Sequence, residues 1–294
     1  MLLFLSLECE DMFIPESELI INPDGSIYHL KLKPGELAKR IITVGDPERI
    51  ELLKPYFSEV SVERSNREFS TLTGVLNGTP TSIISTGIGT DNIDIVINEV
   101  DALFNVDFNT RKVKEEHSAV EFIRIGTSGA IREEINIHDV VLSQYAIGWD
   151  GLLHFYEDKS GRIPELEAQM DKIAHNLNMY PYAFACSESL IDNFSPLGLR
   201  GITLTAPGFY GPQSRMIRAK RKVDFPSIMD DVNYNGLNVT NFEMESAGIY
   251  GLATILGHGA LSINLILANR KTGAFSNSPG EAVKSFIAKA VELF

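Results

Sequence analysis

Two carboxylates flank a methionine in Asn241-Phe242-Glu243-Met244-Glu245-Ser246, where a short apolar strand marked by Leu237 and Val239 gives way to a helix. An acid there can complement the positive end of the helix dipole, or it can accept hydrogen bonds from the hydroxyl groups of a ligand. A second segment far upstream, Ile41-Ile42-Thr43-Val44-Gly45-Asp46-Pro47-Glu48-Arg49, bears on that choice. Its apolar strand ends in a Gly-Asp-Pro turn and an arginine, so backbone N–H groups and a guanidinium converge where an anion could sit. An anion cradle and a hydroxyl-binding carboxylate in one chain imply chemistry on a phosphate and a sugar.

Further donors are available for such an anion. Arg124 lies in Arg124-Ile125-Gly126-Thr127-Ser128-Gly129-Ala130 and is flanked by Phe122, Ile123 and Ile125. An arginine in that setting is half buried and requires an anionic partner. Thr127 and the amides after it can form a nest around the same anion. Arg67, in Asn66-Arg67-Glu68-Phe69, precedes a strand; alone, Arg49 and Arg67 read as ordinary surface or ion-paired arginines. The run Ser85-Thr86-Gly87-Ile88-Gly89-Thr90 links a strand to a helix but lacks the Gly-x-Gly-x-x-Gly spacing of a dinucleotide loop. In Pro207-Gly208-Phe209-Tyr210-Gly211-Pro212-Gln213-Ser214-Arg215, glycine and proline mark a loop. If it is more than a surface loop, it suits a planar polar ring: Phe209 stacks, Gln213 donates and accepts, and Arg215 only donates.

These segments sit on alternating strands and helices. Strand patterns cover 41–44, 122–125, 140–147, 202–205 and 260–267, and 69–86 reads as a hairpin turning at Asn77-Gly78-Thr79-Pro80. An amphipathic helix over 91–104 carries Ile93, Val96, Ile97, Val100 and Phe104 on one face, with Asp91 as its expected cap. Further helices are expected over 164–178, over 244–256 and at the C-terminus, where Val283, Phe286, Ile287, Ala290, Val291 and Phe294 form one stripe. No long linker or repeat interrupts the pattern, which predicts one α/β domain with a mixed sheet covered by helices. Residues 1–25 read as an N-terminal extension and 26–294 as the catalytic domain.

Composition narrows the partners. A net charge of −13 argues against nucleic acid, whose phosphates demand clustered cations. Cys9 and Cys186 make no disulfide framework, which predicts a reducing cytoplasm. The six histidines, at 29, 117, 138, 154, 175 and 258, show no metal-ligand spacing, so no metal is expected. The apolar start, Met1 to Leu7, has no positive flank and is followed by Glu8, Glu10 and Asp11, unlike a secretory signal. It is also far short of the about 20 apolar residues that span a membrane.

Taken in order, Gly-Asp-Pro-Glu-Arg, Asn-Arg-Glu-Phe, Ser-Thr-Gly-Ile-Gly, Arg-Ile-Gly-Thr-Ser-Gly-Ala, Phe-Tyr-Gly-Pro-Gln-Ser-Arg, Glu-Met-Glu-Ser and Asn-Arg resemble the nucleoside phosphorylase superfamily, in its uridine phosphorylase branch. The resemblance runs from about His29 to the C-terminus. It implies a three-layer α/β/α domain whose mixed central sheet is partly barrel-like. It implies that Gly45, Arg49, Arg124 and Thr127 bind phosphate, with Arg67 added by a neighbouring subunit. Glu245 would hold the ribose hydroxyls over Met244, and His29 would cross a dimer interface to the ribose 5′-hydroxyl. Phe209, Gln213 and Arg215 would receive the base, supported by Arg270. Shared sites imply a homo-oligomer, at least a dimer and as large as a hexamer.

The implied reaction is reversible phosphorolysis of uridine to uracil and ribose 1-phosphate in pyrimidine salvage, with Arg124, Glu245 and Arg215 as the catalytic set. Inorganic phosphate is a co-substrate and no cofactor is needed. Uracil offers carbonyl acceptors that match an amide and a guanidinium, whereas cytosine would set an amino donor against Arg215. Purine-cleaving relatives use an aspartate on the leaving base, where Leu267-Ala268-Asn269-Arg270 holds none. Three departures stand against the pattern: Gly89-Thr90-Asp91-Asn92 replaces Gly-Gly-Pro-Ser, Tyr-Gly-Pro-Gln replaces Tyr-Pro-Gly-Gln, and Ser246-Ala247-Gly248-Ile249-Tyr250 is closer to purine members. A purine nucleoside phosphorylase, a hydrolytic nucleosidase and a silent nucleoside-binding protein are the alternatives.

Overall fold

The apolar runs at 41–44, 122–125, 141–147, 202–205 and 260–266 become buried strands, and helices cover the faces of the sheet they form. The computed structural model describes residues 13–157, 159–174 and 177–294. In chain order these contain β1 (Arg40–Val44), α1 (Glu48–Leu53), β2 (Phe57–Asn66), β3 (Phe69–Leu76), β4 (Thr79–Ser85), α2 (Thr90–Asn105), β5 (Val106–Asp107) and β6 (Lys112–Val113). There follow β7 (Glu121–Ala130), β8 (Val140–Gly148), α3 (Pro164–Ala174), β9 (Tyr182–Ala185), α4 (Glu188–Phe194) and β10 (Leu199–Thr205). The chain closes with α5 (Phe225–Ile228), β11 (Asn233–Tyr234), β12 (Leu237–Glu243), α6 (Ser246–Ile255), β13 (Gly259–Asn269) and α7 (Pro279–Val291).

The sheet is half barrel and half open wing. β7 pairs in parallel with β13, β13 runs antiparallel to β8, β8 pairs in parallel with β10, and β10 with β12. β12 then returns to β7 in antiparallel register, Asn241 opposite Ala130 and Phe242 opposite Gly129, which closes those five strands into a ring. On the other edge of β7, β1 and β4 continue in parallel and β3 and β2 follow antiparallel.

Neighbouring residues of β1 face opposite ways, as strand geometry requires. Ile41 joins Ile93, Val96 and Val100 of α2 and Ile249 and Leu252 of α6. Ile42 joins Leu53 of α1, Ile191 and Phe194 of α4 and Phe286 and Ile287 of α7. A mixed sheet between two helical layers is therefore what buries both faces.

Several local expectations change on folding. The helix expected from 244 starts at Ser246, because Glu243 still pairs with Thr205 in the sheet. Asp91 does not cap α2; that position belongs to Gly89, at φ +100°, a backbone region that L side chains rarely adopt. The helix expected over 164–178 is α3, with residues 175 and 176 outside the described residues. β2 is an almost wholly exposed edge strand whose charges mask its strand period, which is why no apolar pattern announces it. Of the N-terminal segment, residues 1–12 lie outside the described residues. Its remainder is clamped by Arg111, which donates to the carbonyls of Ile14, Pro15 and Leu19.

Candidate active site

The carboxyl ends of β1, β7 and β12 and the turn after β4 meet around a cleft of about 700 Å³. The ends of parallel strands are where open α/β sheets collect ligands, and the volume suits a small molecule.

One end is built on strands. Arg124 of β7 is buried, and its Nη1 donates to Asn264 Oδ1 of the adjacent β13 at 2.9 Å. Its Nη2 donates to Glu245 and lies 3.7 Å from Glu243. Burial works against the Arg124 cation, but Glu245 and then Glu243 outweigh it and hold its pKa above the ordinary value. Arg49, at the start of α1, reaches across to β7, donating to the Ile125 carbonyl at 3.2 Å and to Thr127 Oγ1 at 3.1 Å. Burial, and next the charge of Arg124, push its pKa down. Arg49 is thus a largely buried cation beside another cation, and Asp46 and Glu245 offset this only in part.

The two carboxylates divide the readings that the sequence left open. Glu243 serves the helix: Oε2 accepts the N–H groups of Glu245 and Ser246, both at 2.9 Å, and Oε1 accepts from Thr205 Oγ1 at 2.5 Å. Both carboxylates line the cleft, and there Glu245 holds Arg124 and accepts the Gly89 N–H at 2.8 Å. That N–H belongs to the cap of α2, whose positive dipole end favours a carboxylate. Met244 lines the cleft between them.

The other end is a loop after β10. The Arg215 guanidinium stacks on Phe209, 3.7 Å from the ring centroid. Its Nη1 donates to the Phe209 carbonyl at 2.8 Å and to Gln213 Oε1 at 2.5 Å. Burial, and next Arg270, bring its pKa below the ordinary value. The buried Gln213 amide has its oxygen committed to Arg215, so its NH₂ is the group left for a ligand.

A family model described as the phosphorylase superfamily matches residues 39–294. The chain belongs to the phosphorylase superfamily. Among curated relatives, a uridine phosphorylase of Thermococcus kodakarensis is 30% identical over 92% of this chain and 87% of its own length. A uridine phosphorylase of Haemophilus influenzae is 28% identical over 91% of this chain and 95% of its own. The crystal structure of a Trypanosoma brucei nucleoside phosphorylase, described as showing uridine phosphorylase activity, superposes with a TM-score of 0.84 at 27% identity, covering 94% of this chain and 98% of that one.

Within this phosphorylase fold, the cleft lining brings together Gly45, Arg49, Arg124, Thr127, Phe209, Gln213, Arg215, Met244 and Glu245. Arg270 is not in that lining. It donates to the carbonyls of Gln213 at 2.9 Å and Ser214 at 3.2 Å, so the support expected of it is given through the loop backbone. His29 and Arg67 also lie outside the lining, and they sit together: Asn66 Nδ2 donates to the His29 carbonyl at 2.7 Å.

Two contributors escaped sequence reasoning. A Cβ on Gly126 would stand 1.7 Å from Arg124 Nη1, so glycine is what lets the guanidinium fold back along its own strand. The signal was present, because residues two apart on a strand share a face. Asn264 carried no signal, since its role arises from the β7–β13 register. Asp101, His117 and His258 also converge, with ligand atoms within 4.8 Å of one another. The Val120 N–H faces His258 Nδ1 at 3.3 Å, so the ring proton belongs on Nε2, which is 3.2 Å from an Asp101 oxygen but makes no hydrogen bond among the described residues. A metal at Nε2 needs the opposite tautomer, and the cluster reads as a His258–Asp101 pair.

Proposed function

We propose that this chain catalyses the reversible phosphorolysis of uridine to uracil and ribose 1-phosphate, as a uridine phosphorylase of pyrimidine salvage. The observation that carries this reading is the presence in one cleft of two arginines, Arg49 and Arg215, whose guanidiniums donate to carbonyl, hydroxyl and amide oxygens and make no ion pair with a carboxylate among the described residues. Arg49 is depressed by burial and by Arg124, and Arg215 by burial and by Arg270. An anion is favourable at both places: phosphate at the first, and the departing uracil at the second.

Phosphate held by Arg49, Arg124, Thr127 and the turn at Gly45 attacks C1′ as the glycosidic bond lengthens and the sugar becomes oxocarbenium-like. Glu245 accepts from the ribose hydroxyls, with Met244 beneath the ring. Negative charge moves onto the base, where Arg215 and the Gln213 NH₂ receive it. Positioning and electrostatics supply the rate, and no nucleophilic side chain is required.

The base end favours uracil on the same grounds. It presents N–H donors, which match carbonyl oxygens and oppose the amino group of cytosine. Asn269, where purine-cleaving relatives carry an acid, is turned away. Its Nδ2 donates to the carbonyls of Arg132 and Ile135, and its Oδ1 accepts from Lys271 and Thr272.

His29 and Arg67 complete the site of a neighbouring protomer, which requires at least a dimer and is compatible with a hexamer. The enzyme needs inorganic phosphate and no further cofactor, works within residues 26–294, and acts in the cytoplasm; among the described residues no helix is long and apolar enough to cross a membrane.

Absorbance-monitored cleavage of uridine and inosine, each with and without phosphate, tests the reading. Phosphate-dependent loss of uridine is expected. Cleavage of inosine alone would transfer the assignment to the purine branch, cleavage without phosphate would make the protein a nucleosidase, and no turnover would leave a binding role.

A further inference from the structure

The contacts that fix His29 converge on one carboxylate, that of Glu99 in the middle of α2. Glu99 accepts the His29 backbone N–H at 3.0 and 3.1 Å, the Leu30 N–H at 2.9 Å and the His29 ring at Nδ1, 2.6 Å away. An ionised carboxylate has no proton to give, so Nδ1 carries a proton, and in the neutral ring Nε2 is then the nitrogen that keeps its lone pair. Nε2 has no hydrogen-bond partner among the described residues. The ring is held between Tyr28 and Phe69, at centroid distances of 4.7 and 6.3 Å. The segment before it is equally constrained: Asn22 Nδ2 donates to the carbonyls of Ser26 and Ile27, and Lys31 donates to Asn22 Oδ1. A solvated surface histidine would need none of this.

We infer that Glu99 is a positioning residue for the reaction: it locks His29 in the Nδ1–H tautomer, so that Nε2 is a hydrogen-bond acceptor for the ribose 5′-hydroxyl in the neighbouring protomer's site. The inference rests on the reading of His29 as the group that meets that hydroxyl. Its chemical content is directional. A hydroxyl donates to a fixed lone pair, whereas a substrate that lacks the 5′-hydroxyl leaves the pair unused. The same helix serves both sites. Its cap at Gly89 holds Glu245 of its own cleft, and Glu99 lies ten residues on, about 15 Å along the axis.

The test compares uridine with 5′-deoxyuridine, by the ratio of their kcat/KM values, in the wild type and in Glu99→Gln, His29→Ala and the double variant. Glutamine keeps an acceptor for the backbone N–H groups but has an NH₂ that can turn toward Nδ1 and stabilise the other tautomer. The expected result is an about tenfold fall in the ratio for Glu99→Gln, a similar fall for His29→Ala, and no further fall when the two are combined. A general loss of structure would lower both substrates together and leave the ratio in place. If His29→Ala lowers the ratio and Glu99→Gln does not, the inference about Glu99 is overturned while the reading of His29 stands. If His29→Ala leaves the ratio unchanged, the reading of His29 fails and takes the inference with it. Long-range ¹⁵N–¹H spectra of the wild-type oligomer, taken at a pH where the ring is neutral, give an independent check that needs no variant: a proton on Nδ1 of His29 is expected, and a proton on Nε2 with none on Nδ1 would overturn the tautomer lock.

Discussion

The two ends of the cleft hold their cations by different means. At the phosphate end, Arg124 stands on β7, braced by Asn264 on one neighbouring strand and by Glu245 at the head of a helix. Its place follows from sheet register, which cannot shift by one residue without turning every side chain to the other face. At the base end, Arg215 is held by its own loop, through a stacked ring, a carbonyl and an amide within six residues of it. Arg270 reaches in from the end of β13 to pin that loop by two carbonyls. On the proposed reading, chemistry common to all substrates is carried by the sheet, and discrimination between bases by a loop that can change without disturbing it.

Substitutions at the strand-built end should therefore lower the turnover of every nucleoside alike. Arg124→Ala should cost about 10³-fold in kcat/KM for phosphate, since it removes a buried charge contact that develops with the reaction and leaves Glu245 unpaired. A loss confined to uridine would break the contrast between the two ends. Gly126→Ala should follow at about 10²-fold, because a Cβ there displaces the Arg124 guanidinium without removing it. Steady-state kinetics in phosphate, with a melting curve to confirm folding, would check both. Near-normal phosphate kinetics for the glycine variant would mean that Arg124 does not need its observed pose.

Glu245→Gln lies on the border between the ends and should cost uridine about tenfold more than 2′-deoxyuridine, the worth of one charge-assisted hydrogen bond. Equal losses for the two substrates would remove Glu245 from the 2′-hydroxyl. Arg270→Ala should have the smallest effect, a roughly threefold rise in KM for uridine with phosphate kinetics unchanged, since it frees a loop and removes no ligand contact. A large fall in kcat would show that Arg270 touches the base after all.

Legibility in the sequence follows the same division. The Arg124 segment could be read because a lone arginine among Phe122, Ile123 and Ile125 must find an anion, and the structure supplies Glu245. The hairpin at Asn77-Gly78 could be read because both residues adopt positive φ, +48° and +78°, as the tight turn demands. By contrast, β2 was hidden by its exposed charges, and the start of α6 shifted by two residues because sheet pairing at Glu243 overrode helix propensity. Arg270 was placed at the base pocket by the resemblance alone; how it supports the pocket, through the carbonyls of Gln213 and Ser214 on another loop, was not legible in the sequence.

By itself the sequence determined the alternation of strands and helices, the family to which the chain belongs and the types of group that collect around a phosphate and a sugar. Local spacing and residue chemistry carry that much. Only the tertiary structure decided that Glu245 meets Arg124 and the Gly89 N–H, that Asn264 shapes the pose of Arg124, and that Glu99 holds His29. Each of these depends on which strands and helices become neighbours, and neighbours 70 to 156 residues apart in the chain leave no local mark.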